Sequence, residues 1–117
     1  MSLIASLLPP ANVVAALDAS SKKRVFEEAA QLFETQLGLA HDAVFDKLFT
    51  RERLGSTGLG QGVAIPHARV AGLAEAAGAF IRLATPIPWD SLDGRPVSLV
   101  FVLLVPEEAN DAHLQLL

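Results

Sequence analysis

A nine-residue run at positions 97–105, VSLVFVLLV, constrains this chain more than any other feature. It is apolar at every position except Ser98, and Pro96 and Pro106 close it at either end. Nine residues are about half of the roughly 20 that a helix needs to cross a bilayer. A strand that is apolar on both sides, without alternation, is the kind found at the centre of a sheet with helices over each face. The run therefore predicts a layered α/β domain, provided that the rest of the chain supplies amphipathic helices.

It supplies two. Val25, Ala29, Phe33 and Leu37 recur every four residues, with Phe26 and Ala30 beside them, which is the apolar stripe of a helix. Ser20 or Ser21 is placed to cap its start and Gly38 to stop it. A second helix is predicted over residues 42–53, with Val44, Phe45, Leu48 and Phe49 as its stripe. Shorter strands are expected at 12–17, at 63–65 ahead of Pro66, and at 76–83. Residues 86–90 and 93–96 carry turn chemistry. Residues 111–117 read as the opening of a further helix. The stretch 55–62, GSTGLGQG, has four glycines in eight residues and reads as an irregular loop. The expected architecture is a single three-layer α/β domain over residues 1–117, a mixed sheet flanked by helices on both faces.

Bulk properties narrow the function. Of 117 residues, 51% are hydrophobic, enough for one well-formed core. The net charge is -4 and the sole basic run is Lys22-Lys23-Arg24, which argues against binding to nucleic acid or an anionic membrane surface. Cysteine is absent, which removes disulfides and thiolate nucleophiles together. Residues 1–10 are apolar but lack the basic segment of a secretion signal. A cytoplasmic protein with no membrane insertion is expected.

The chemistry concentrates in residues 51–69, RERLGSTGLGQGVAIPHAR. His67 follows Pro66 at the end of a short apolar segment. Ahead of it lies the glycine-rich loop, whose backbone N–H groups, at Gly58 among others, can meet an anion. Ser56 and Thr57 can add hydroxyl donors, and Arg51 and Arg69 charge-assisted ones. These are anion-binding parts around a nucleophile. Imidazole has an ordinary pKa of about 6.5, so a large neutral fraction is present near neutrality. If a carbonyl or carboxylate holds one ring nitrogen, the other is free to attack phosphorus. The loop matches neither the P-loop nor GxGxxG, which disfavours a nucleotide site. His41 and His113 look like ordinary helix-start residues. Three histidines without ligand spacing give no reason to expect a metal, and no cofactor is expected. Trp89 reads as a residue packed at the sheet edge.

Arg51-Glu52, Gly55-Ser56-Thr57-Gly58 and Gly62-Val63-Ala64-Ile65-Pro66-His67-Ala68-Arg69 closely resemble the IIA components, fructose/mannitol type, of the bacterial phosphoenolpyruvate-dependent phosphotransferase system. So do residues 85–97, TPIPWDSLDGRPV, the apolar run behind them, and Ala112-His113-Leu114. The wording of 85–97 is most similar to the nitrogen-regulatory branch. The resemblance implies a phosphotransferase component acting as a carrier, with His67 as phosphoryl acceptor, His113 helping to hold the group and Arg51 lining the site. It implies a histidine phosphocarrier protein as donor, and a regulatory target or a IIB domain downstream. Sugar-specific relatives can carry an acidic residue where Gln61 stands, which leaves open what orients His67. Two other readings stand beside it: a sugar-specific IIA domain, and a binding module that takes up no phosphate. The resemblance also implies further helix past Leu117. Apolar sheet surface left bare there would favour a homodimer.

Overall fold

The computed structural model describes residues 9–107. Ser21 has an extended backbone, and its hydroxyl accepts the N–H of Arg24 at 3.2 Å, satisfying one free amide of the first turn. Helix α1 follows over Lys22–Leu37 and ends at Gly38, whose φ of 71° lies in the left-handed region. Val25, Phe26, Ala29, Ala30 and Phe33 are all buried, while Leu37 at the last position stays exposed. Helix α2, His41–Leu54, overruns the expected range by one residue at each end. Val44 and Leu48 are buried, Phe45 and Phe49 stack with ring centroids 5.6 Å apart, and Phe49 meets Phe26 of α1 edge-on.

Among the described residues six strands form one mixed sheet: β1 (Val13–Leu17), β2 (Gly58–Gly60), β3 (Val63–Ala64), β4 (His67–Val70), β5 (Ala77–Ile87) and β6 (Val97–Pro106). The order is β1-β5-β6-β3-β2, with β4 also paired to β6. The apolar run at 97–105 is therefore the central strand. It is antiparallel to β5 and parallel to both β3 and β4. Opposed residues of β5 and β6 share a face, so Ala79 lies across from Val102 and Ile81 from Val100. That face forms the main core with the apolar stripes of α1 and α2. On the other face Leu103 is buried and Phe80, Leu99 and Phe101 are half-buried. The α/β expectation thus holds. The helix expected at 111–117 lies outside the described residues.

Three expectations need correction. The glycine-rich stretch is not irregular throughout, because Gly58–Gly60 is a strand in a hairpin with Val63–Ala64. Its partner is a strand that β6 already holds, a support that composition does not reveal. Strand β5 runs on to Ile87 through Pro86, past the expected end at residue 83 and into a stretch with turn chemistry. The ladder is interrupted between Arg82 and Ile87, so the missing N–H of proline leaves no pairing gap there. Finally, His67 not only follows a short strand, which ends at Ala64, but itself opens the next one.

Candidate functional site at a break in a strand

Strands β3 and β4 are two pieces of one line along β6. Val63 stands opposite Leu99, Ala64 opposite Val100, and His67 opposite Leu103, so the register carries across the break. The interruption falls at Ile65-Pro66. Proline has no N–H to give to a ladder, and the chain leaves β6 for these two residues before the Leu103 N–H binds the Pro66 carbonyl at 2.9 Å. Side chains alternate along the line. Ala64, Pro66, Ala68 and Val70 are buried against the core, whereas Val63, Ile65 and His67 are half-buried and Arg69 is exposed.

The break has a chemical consequence. The Ile65 carbonyl, turned out of the ladder, lies 3.0 Å from His67 Nδ1. A carbonyl only accepts, so Nδ1 carries the proton and donates. In the neutral ring, Nε2 then holds the free lone pair. The question left by Gln61 has its answer here, since a main-chain carbonyl holds the ring. Gln61 itself sits exposed at the hairpin turn with φ 54°, its N–H donating to Asp93 at 2.7 Å.

An open groove of about 540 Å³ runs beside the ring, lined by His67 and Arg69 and by Lys47, Thr50, Arg51 and Leu54 of α2. Arg51 Nη1 donates to the Gly55 carbonyl at 2.9 Å, which ties the guanidinium to the turn after α2. Four more of its N–H groups remain for other acceptors. Among the described residues that line the groove, Lys47, Arg51 and Arg69 are three cations against one carboxylate, Asp46. Such a place suits a phosphoryl dianion. Lys47 and Thr50 were not singled out from sequence. Their signal was the helical spacing of positions 47, 50, 51 and 54, which puts them on the same side of α2 as Arg51.

Ser56, Thr57 and Gly58 are placed differently from their expected role. None is among the described residues lining the groove. The Ser56 hydroxyl donates to the Trp89 carbonyl at 2.6 Å and accepts the Gly58 N–H at 3.1 Å. Thr57 is buried, with both its N–H and its hydroxyl directed to Glu52. These donors are engaged within the loop and build its shape; they do not face the groove. Gly58 is needed for that shape, because a Cβ there would lie 2.1 Å from Ser91 Oγ. Trp89 is fully buried, edge-on to Phe26. His113 lies outside the described residues. His41 is the first residue of α2, with its Nδ1 3.3 Å from Asp42 Oδ1. No helix among the described residues is long and apolar enough to cross a membrane.

A mixed sheet with two helices packed on one face, and a half-buried histidine held by its own backbone beside a basic groove, describe a class that sequence comparison defines. Residues 6–117 match the family described as phosphoenolpyruvate-dependent sugar phosphotransferase system, EIIA 2, and the chain belongs to that family. Within it, the chain is similar to nitrogen regulatory proteins. It is 43% identical to the nitrogen regulatory protein of Pseudomonas aeruginosa over 118 residues, covering 100% of this chain and 77% of that protein. A crystal structure of nitrogen regulatory protein IIA-Ntr from Neisseria meningitidis superposes with a TM-score of 0.91 at 56% identity, covering 97% of this chain and 78% of that one. The fructose-specific EIIABC component of Bacillus subtilis is 34% identical over 116 residues, 97% of this chain and 18% of that protein.

Proposed function

We propose that the chain is a phosphocarrier of the regulatory IIA type, in which His67 accepts a phosphoryl group at Nε2 from the phosphohistidine of a carrier protein. One observation carries the assignment of the reactive atom: the bond from Nδ1 to the Ile65 carbonyl, which leaves Nε2 as the nucleophile. In the step, the Nε2 lone pair attacks phosphorus as the donor N–P bond breaks. The bonding pair returns to the donor ring, and the His67 ring keeps its Nδ1 proton on the carbonyl. Arg51, Arg69 and Lys47 offset the charge of the three phosphoryl oxygens. Phosphoryl transfer asks little more of a protein than this positioning and charge stabilisation. No cofactor enters the step.

The gain of roughly two negative charges beside the groove, by analogy with phosphorylated hydroxyl residues, is the signal. It alters the surface offered to a target protein in the cytoplasm. Similarity to nitrogen regulatory proteins favours this role over handing the group to a IIB domain. The test is incubation with phosphoenolpyruvate, the general phosphotransferase enzyme and the carrier. Acid-labile label that disappears in His67→Ala is the expected result. Undiminished labelling of His67→Ala removes His67 from the role, and rapid onward transfer to an added IIB domain assigns the sugar branch.

A further inference from the structure

The geometry points to Glu52 as a positioning residue for the His67 imidazole, acting through Thr57 and Ile65. Glu52 lies in the last turn of α2, and its side chain is 6% exposed. One carboxylate oxygen accepts the Thr57 N–H at 3.1 Å and the Lys22 ammonium at 2.9 Å. The other accepts the Thr57 hydroxyl at 2.5 Å. The Thr57 oxygen also accepts the indole N–H of Trp89 at 3.2 Å. Thr57 is thus fixed at its amide, at its hydroxyl proton and at its hydroxyl oxygen.

What remains of Thr57 is its carbonyl, and this accepts the Ile65 N–H at 3.0 Å. Ile65 sits at the break where the chain has left β6. Its N–H is therefore held by Thr57, while its carbonyl holds His67 Nδ1. A continuous line of hydrogen bonds runs from Lys22 at the start of α1, through Glu52 and Thr57, to the ring. A buried pair of donors side by side, N–H and O–H of one residue, is matched by two acceptor oxygens with a counter-cation beside them. A carboxylate gives that. A carboxamide at the same place presents N–H₂ to one of these donors, so Thr57 and then Ile65 must shift. The ring, losing a fixed carbonyl, would populate the other tautomer and place a proton on Nε2.

The tautomer of His67 reads this directly and needs no phosphoryl donor, so it stands apart from the reading of His67 as acceptor. Long-range ¹H–¹⁵N NMR of the full chain is expected to show the Nδ1–H form almost alone. In Glu52→Gln the Nε2–H form is expected to rise to a comparable share. Phosphorylation by the carrier should slow by about ten-fold, the scale of one lost hydrogen bond, with the Kd for the carrier unchanged. Glu52→Asp, which keeps the charge, should recover part of both. Thr57→Val, which removes only the hydroxyl, repeats the measurement if Glu52→Gln does not fold. A folded variant with the parent tautomer overturns the proposal, whatever its rate. A shifted tautomer in a chain that takes up no label keeps the positioning role and refutes the carrier reading instead.

Discussion

The packing of Gly58 against Ser91 sets up a quantitative test of how the hairpin beside the site is held. A Cβ added at Gly58 would lie 2.1 Å from Ser91 Oγ, 3.0 Å from Ser91 Cβ and 3.2 Å from Ser91 Cα. Turning the hydroxyl away removes only the first clash. The remaining two involve Cβ and backbone, so relief requires the loop carrying Ser91 to move. Overpacking of this kind costs about 1–3 kcal/mol. In a domain of this size, 2 kcal/mol lowers Tm by on the order of 10 °C. Gly58→Ala should show that loss in thermal or urea unfolding followed by circular dichroism. Ser91→Gly in the same chain removes both Oγ and Cβ and should return more than half of the loss, a coupling that a double-mutant cycle isolates. The buried Ser91 hydroxyl has no hydrogen-bond partner among the described residues. Ser91→Ala alone should therefore be neutral or mildly stabilising. A Gly58→Ala protein that melts with its parent, or one that Ser91→Gly fails to rescue, would refute the close approach.

The exposed Asp93 carboxylate accepts the Gln61 N–H and the Arg95 N–H, which hold its pKa below the ordinary 3.8. A folded value below the unfolded one means that the carboxylate's contribution to stability is present above the unfolded pKa and fades as pH falls through the folded one. An NMR titration of its Cγ should give a midpoint under 3.8, and the stability difference between parent and Asp93→Asn should shrink as the medium passes below about pH 4; a midpoint at or above 3.8 contradicts this. Phe33, fully buried between α1 and the sheet, should cost about 3–5 kcal/mol when cut to Ala, read by the fluorescence of Trp89 in urea. A loss under about 1 kcal/mol would mean that the core closes over the gap.

The sequence alone was enough for the elements whose causes are local. Helix α1 was legible from its four-residue period, its serine cap and its glycine stop, because each of these acts within a turn or two of the chain. Strand β6 was legible because an uninterrupted apolar run too short for a membrane has few other places to go. His67 stood out because an imidazole behind a proline, with arginines near it in sequence, is an unusual grouping of chemistry.

Pairing and orientation belonged to the tertiary structure. Gly58–Gly60 has no intrinsic strand preference and became one only because β3 already lies on β6. Ser56 and Thr57 carry donors suited to an anion, yet the Trp89 carbonyl, 33 residues on from Ser56, and Glu52 of α2 claim their hydroxyls first. Glu52 enters the sequence reading only as half of the Arg51-Glu52 pair in the family resemblance, and nothing local to it marks its burial or its partners. A side chain's hydrogen-bond partners are set by what the fold lays against it, and the break in the line along β6, which leaves the Ile65 carbonyl to Nδ1, decided which nitrogen of His67 is left free.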